Sequence, residues 1–259
     1  MCSSDLVTDK LKGWLLAALI GAPLLAAVLW FFTAAGSAAW LYCWGVTAAV
    51  SLALAYVAPT WILPLFNRFT PLPEGELRQA LEDYAARNGF TLTGIFVMDG
   101  SKRSTKSNAF FTGFGKKRRI ALFDTLIERH TPREIVAVLA HEVGHARLGH
   151  VAKNIAVGLA KSGLMFGLLS VFLGSQGLFA AFGIPPERMS PAAGLVFFGL
   201  LYTPVSLALA VAFNGLLRRH EYQADAFAAR TTGDPEALIQ ALRRLSLDNL
   251  SNLTPHPLT

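Results

Sequence analysis

The residues best equipped for chemistry in this chain are His141-Glu142-Val143-Gly144-His145, an HExxH pattern. On a helix, positions i and i+4 share a face, so both imidazoles can reach one zinc ion. Glu142 lies about 100° further round the helix from His141. There it can take a proton from an activated water without itself binding metal. The pattern also occurs by chance on surface helices, so its context matters. It follows Thr131-Pro132-Arg133-Glu134, which supplies a threonine N-cap, a proline at the first helical position and a glutamate at the third. The apolar positions Ile135, Val136, Leu139 and Ala140 come next, and Gly144 inside the motif leaves room for a close neighbour.

A hydrolytic zinc site takes three protein ligands and keeps a fourth position open for water. His150 is a poor third ligand, because five residues past His145 and nine past His141 it points to another face of the same helix. Farther along, Arg218-Arg219-His220-Glu221-Tyr222-Gln223-Ala224-Asp225 begins a helix that ends near Thr232-Gly233-Asp234-Pro235. Glu221 and Asp225 are at i and i+4 and share a face. A glutamate there can ligate zinc while Asp225 holds a histidine N–H from behind. The same pattern is also that of two solvated carboxylates.

The elements that must position these residues lie largely in membrane. Of 259 residues, 53% are hydrophobic and 15% charged, with a mean hydropathy of +0.43. Soluble domains carry about 25% charge, so the composition argues against a cytosolic protein and excludes disorder. Four runs are long enough to cross a bilayer: residues 14–33, 40–66, 151–182 and 191–217, the third with Lys153 and Lys161 near its start. The first is not a secretory signal, because it lacks a small-residue cleavage site and a second span follows almost at once. Cys2 and Cys43 match no CxxC spacing, which excludes a disulfide framework and a cysteine zinc site.

The excess of 23 Lys+Arg over 17 Asp+Glu reads as topology. Residues 67–150 hold 13 basic against 9 acidic side chains, and the segment from 218 onward holds 5 against 5. With four spans, the N-terminus and both polar regions share one side, and the basic excess makes that side cytoplasmic. A nucleic-acid partner loses its support. Within the polar insert, residues 77–88 have helical periodicity on Leu77, Ala80, Leu81, Tyr84 and Ala85. Residues 91–98 read as a strand, and 108–114 with 119–123 as a hairpin joined by Gly115-Lys116-Lys117. The expected organisation is two spans in 1–66, a catalytic insert in 67–150, two spans in 151–217 and a C-terminal helical region in 218–259.

Together the segments NAFFTGFGKKRRIALFDTLI (108–127), EIVAVLAHEVGHARLGH (134–150), RRHEYQADAFA (218–228) and DNLSNLTPHPL (248–258) give a specific signature. The chain resembles the integral-membrane CAAX prenyl protease family, gluzincin-type zinc metallopeptidases, over residues 11–259. The resemblance implies His141, His145 and Glu221 as ligands of one Zn²⁺, and Glu142 as general base. It places Asn108 close to the bound substrate and Asp225 in support of the metal site. The implied fold is mainly α: a multi-span transmembrane helical bundle with a cytoplasmic zincin-like catalytic insert containing a small β-hairpin or sheet. The implied activity is a zinc metalloendopeptidase acting on prenylated CAAX proteins or related peptides. Its partners are the peptide or prenylated substrate and the lipid bilayer, in a bacterial inner membrane or a eukaryotic endoplasmic reticulum membrane. Competing readings are a broad-specificity membrane quality-control protease and a non-catalytic membrane scaffold. Family members carry about seven membrane spans and continue past the TPHP segment to a His-Pro-Pro stretch with a further active-site histidine. The chain, with four spans and its end at Thr259, is therefore expected to be a fragment of that architecture with the metal set complete and activity weak or absent. His256 belongs to the earlier segment and does not take that role.

Several residues keep two readings. Lys161 either lines a water-filled cavity or snorkels to the interface. Asn108 by itself is also a strand-end cap. Residues 108–114 are either core or an edge for an extended peptide. The basic run 116–119 either meets anionic lipid or forms a solvated hairpin tip, and Cys43 reads as a small apolar packing residue.

Overall fold

Apolar runs of this length take up helix because a backbone inside lipid must satisfy its own hydrogen bonds. The computed structural model of the chain describes residues 3–112 and 118–250. In chain order it contains α1 (Ser3–Ala34), α2 (Ala39–Val57), α3 (Leu63–Phe66), β1 (Phe69–Pro71), α4 (Glu76–Arg87), β2 (Leu92–Met98), β3 (Ala109–Thr112) and β4 (Arg118–Phe123). These are followed by α5 (Asp124–Arg129), α6 (Pro132–Arg147), α7 (His150–Leu173), α8 (Gln176–Ala181), α9 (Pro191–Thr232) and α10 (Pro235–Asp248). Among the described residues, four stretches are long and apolar enough to cross a membrane: Val7–Ala34, Gly36–Phe66, His150–Leu173 and Pro191–Thr232. The architecture is the expected one, mainly helical with a small sheet. That sheet is four-stranded and mixed rather than a lone hairpin.

Two limits differ from the sequence expectation. The third run breaks at Leu173 and does not reach 182, because Gly174 and Ser175 leave the helix and the Ser175 hydroxyl accepts from Leu178 N–H to cap α8. The fourth run does not stop at 217. Helix α9 continues through Arg218 and Arg219 to Thr232 and ends at Gly233, whose φ of +67° suits glycine.

The chain forms two compact units. One comprises residues 3–54 and 153–213. Its core gathers Val28, Cys43, Phe166, Leu169, Phe172, Phe179 and Phe198. Cys43 is buried, its thiol 3.7 Å from Val28 O, as a small packing residue should be. Trp14, Trp30, Leu200 and Leu207 are exposed on this unit, which fits a surface solvated by lipid chains. The Lys161 ammonium lies 4.7 Å from the centre of the Phe213 ring, a cation–π contact that gives its charge a partner within the helices.

The other unit comprises the described parts of 55–152 and 214–259. Its strand order is β1-β2-β4-β3, with β1 antiparallel to β2, β2 parallel to β4, and β4 antiparallel to β3. The β3–β4 pair runs from Ala109↔Leu122 to Thr112↔Arg119, as the hairpin reading requires. Its turn, with Gly115, Lys116 and Lys117, lies outside the described residues, as do His256 and the TPHP segment. Ala109 of β3 is buried in the core, and the strand stands at the end of the sheet. Leu81, Tyr84, Ile120, Leu122, Leu139 and Val143 are fully buried between the sheet and the helices that cover it. Helix α6 packs against α4, α10 and β3, so the element carrying the histidines is held on three sides.

Candidate metal centre

Helix α6 starts where the sequence marks it. Thr131 Oγ1 accepts from Glu134 N–H, and Glu134 Oε2 accepts from Thr131 N–H at 2.8 Å. Arg244 from α10 donates to the same Glu134 oxygen at 3.0 Å, which ties the start of α6 to its neighbour. Ile135, Leu139, Ala140 and Val143 then face the core. That leaves His141 and His145 on an adjoining face, partly buried.

Gly144 lets a second helix reach them. A Cβ at this position would stand 3.1 Å from Ala224 Cα, 3.2 Å from Ala224 O and 3.2 Å from Phe227 Cβ. The backbone of α9 therefore lies directly on the motif, and Ala224 is fully buried there. Glu221, about one turn earlier on α9, then extends over both imidazoles.

The resulting donor cluster is tight. Glu221 Oε2 is 3.4 Å from His141 Nε2 and 3.6 Å from His145 Nε2, and the two Nε2 atoms are 3.0 Å apart. Zinc bonds of about 2.0–2.1 Å in a tetrahedron put ligand atoms roughly 3.3 Å from one another. The three atoms thus fit one face of such a tetrahedron and leave the fourth vertex for water. Among the described residues, this is the group of His, Cys, Asp and Glu that could hold a metal ion.

The surroundings fix the ligands. Asp225 Oδ1 accepts from His141 Nδ1 at 2.8 Å. Burial opposes a charge on His141, but the hydrogen bonds to Asp225 and Glu221 outweigh it and hold the pKa at about 9. Burial pushes the Glu142 carboxyl up, while His141 and His145 pull it back part of the way. Glu142 is outside the donor cluster, as the helical geometry predicts for a base.

His150 is corrected by the structure. It does not continue the helix of His145 and point away. Helix α6 ends at Arg147, and Gly149, with φ +70°, turns the chain so that His150 folds back. Its Nδ1 lies 3.0 Å from His145 Nδ1, and its Nε2 lies 3.0 Å from Gln223 Oε1. Its ring stacks on His220 with centroids 4.2 Å apart. His150 is not one of the three cluster donors, but it backs one of them. The signal that could have found it was Gly149, a helix terminator between the two histidines.

Asn108 stands at the start of β3. Its side-chain Oδ1 accepts from Ala109 N–H at 2.9 Å, and its carbonyl accepts from Phe123 N–H at 3.0 Å, which is the strand-end cap. Just before it, the Ser107 backbone is clamped by Asn249: Ser107 N–H donates to Oδ1 at 3.0 Å and Ser107 O accepts from Nδ2 at 3.2 Å. Ser107 Oγ also donates to Asp248 Oδ2 at 3.2 Å. The start of β3 is thereby pinned to the end of α10, a link that sequence reading did not supply.

Comparison with known proteins gives two family matches. Peptidase family M48 matches residues 71–259. The CAAX prenyl protease N-terminal region, described as five membrane helices, matches residues 4–68. Among curated relatives, the CAAX prenyl protease 1 homolog of Oryza sativa subsp. japonica is 40% identical over 252 residues, covering 97% of this chain and 59% of the relative. That of Mus musculus is 36% identical over 279 residues, covering 93% and 58% respectively. The CAAX prenyl protease 1 of Saccharomyces cerevisiae is 36% identical over 266 residues, covering 97% and 58%. The crystal structure of S. mikatae Ste24p superposes with a TM-score of 0.87 at 36% identity, over 98% of this chain and 62% of that one. The chain thus spans about three-fifths of the length of the relatives it matches.

Proposed function

Because the chain belongs to peptidase family M48, we propose that it is a membrane-embedded zinc metalloendopeptidase that cleaves prenylated CAAX proteins or related peptides. It is a multi-pass membrane protein, with four stretches of spanning length among the described residues and a match to a family of membrane helices over 4–68. The observation that carries the functional reading is the convergence of His141, His145 and Glu221, donors 3.0–3.6 Å apart, beside the half-buried Glu142.

Two neutral imidazoles and one carboxylate suit a divalent ion, since they leave the site with a net positive charge. When bound there, zinc supplies a Lewis acid that acidifies water and polarises a scissile carbonyl. Asp225 holds Nδ1–H of His141 and so aims its Nε2 at the site. A carboxylate oxygen of Glu142 accepts the proton of the attacking water and later delivers it to the departing amine nitrogen. Burial makes that carboxylate a stronger base than one in water, and the two flanking rings offset part of the rise. The outer edge of β3 offers backbone groups to an extended peptide, which would add to the sheet as a further strand. Asn108 at its start would then hydrogen-bond that peptide's backbone. The basic excess of 67–150 supports a cytoplasmic position for the catalytic region.

Metal analysis of the purified chain tests this reading. One equivalent of zinc is expected, together with weak cleavage of a farnesylated peptide. Glu221→Ala and His145→Ala should each lose the metal. Full zinc retention in Glu221→Ala would remove it from the ligand set and end the proposed geometry.

A further inference from the structure

Behind the donor cluster, a line of hydrogen bonds runs through three imidazoles and ends in acceptors on both sides. At one end Asp225 Oδ1 faces His141 Nδ1 at 2.8 Å. At the other, Gln223 Oε1 faces His150 Nε2 at 3.0 Å. Between them, His141 and His145 meet through their Nε2 atoms at 3.0 Å, and His145 and His150 through their Nδ1 atoms at 3.0 Å. A carboxamide oxygen only accepts, so His150 must carry its proton on Nε2. Its Nδ1 is then a bare lone pair, and His145 must donate to it from Nδ1. The Nε2 of His145 is consequently left as a lone pair facing Glu221 and His141.

With both proposed ligands protonated on Nδ1, each would present a bare Nε2 to the metal position. The burial is that of a built feature: His150 is fully buried, and its stack on His220 fixes the plane of the ring. The αL conformation of Gly149 is what brings it there.

We propose that His150 and Gln223 are positioning residues that fix His145 as its Nδ1–H tautomer and so present its Nε2 to the metal. The purpose of this relay rests on the metal site proposed above. A ring that only filled space beneath His220 would be indifferent to the chemistry of Gln223, and that difference makes the test. Gln223 is exposed, so Gln223→Met and Gln223→Glu, both close to it in volume, can be made in the full chain without disturbing the core. Two readouts are needed. Long-range ¹H–¹⁵N correlation on histidine-labelled, metal-free protein reports the tautomer, with the His145 ring assigned by its loss in His145→Ala. Competition with a chromophoric chelator reports zinc affinity.

The expected wild-type result is Nδ1–H on His145. Gln223→Met should yield a tautomer mixture and a zinc affinity lower by about 10–100-fold, the usual loss when the partner behind a ligating histidine is removed. Gln223→Glu keeps an acceptor at the same reach and should rescue both. His150→Phe, which keeps the stack and removes the nitrogens, should behave like Gln223→Met. An Nε2–H tautomer in the wild type would overturn the proposal, and so would equal zinc affinities in Gln223→Met and Gln223→Glu. If the wild type bound no zinc, the metal site itself would fall, while the tautomer readout would still decide the relay.

Discussion

Replacing Gly144 by alanine pushes on a place where two backbones hold the proposed ligands together. The added Cβ would meet Ala224 Cα at 3.1 Å and Ala224 O at 3.2 Å. Carbon atoms in comfortable contact are about 3.5–4.0 Å apart, so α9 must withdraw by about half an ångström. The atoms in the way are backbone and cannot swing aside as a side-chain tip could. Glu221 sits about one turn away on α9 and moves with it. Metal–ligand distances tolerate about 0.2 Å, so the shift exceeds the tolerance about twofold. Glu221 is 58% exposed and can re-extend in part, which limits the damage. A fall in zinc affinity of about 10–100-fold is expected, comparable to the loss of a supporting residue. Stability should change little, because alanine gains about 1 kcal/mol of helix propensity over glycine and overpacking costs about 1–3 kcal/mol. Chelator competition measures the affinity, and thermal unfolding of the metal-free form measures the fold. Unchanged affinity would refute the close-approach argument. A large loss of metal-free stability would show instead that Gly144 serves packing.

Glu142→Gln should keep its zinc and fold while peptide hydrolysis drops by about 10²–10⁴-fold; metal analysis and a peptide cleavage assay on the same preparation check it. Zinc affinity should rise about tenfold per pH unit below pH 9 and then level off, because the metal must displace the proton that His141 holds with a pKa of about 9. Metal-free stability should run the other way: the pKa is raised from 6.5, so that contribution is complete below 6.5 and is lost as pH rises through 9, which unfolding across pH will show. For topology, in a background without Cys2 and Cys43, cysteines at Glu128 and Arg243 should react alike with an impermeant thiol reagent and a cysteine at Glu187 should react from the opposite side. Opposite labelling of the first two is incompatible with one shared site.

What could be read from the sequence was what one segment decides alone. The stripe of Leu81, Tyr84 and Ala85 marks α4 because those residues must bury one helical face, and all three are buried. Thr131 and Glu134 mark the start of α6 because the capping box is made within four residues. Strand β1 could not be read. Its three residues carry no periodicity, and it exists through its pairing with β2. The parallel pairing of β2 with β4 was hidden for the same reason. Helix α9 outran its predicted end because Arg218 and Arg219 interrupt a hydrophobic run without interrupting a helix.

At the candidate site the dividing line is the same. His141 and His145 come together by helix geometry, which spacing encodes. Glu221 reaches them because Gly144 admits the backbone of α9, a contact between residues eighty positions apart that one glycine only hints at. His150 was misplaced because spacing was applied through Gly149, where the helix had already ended. Once that turn is made, the ring nearest in sequence becomes the support of His145, as Asp225, distant in sequence, is the support of His141. The two proposed histidine ligands are thus oriented by unlike means, a carboxylate on one and a neutral ring backed by a carboxamide on the other. A carboxylate makes its ligand more electron-rich than a neutral acceptor does. His141 should therefore bind the metal more strongly than His145, so that Asp225→Asn costs more zinc affinity than Gln223→Met. Chelator competition on the two variants side by side decides the order, and equal or reversed losses would show that the two supports do not differ in the way their charges require.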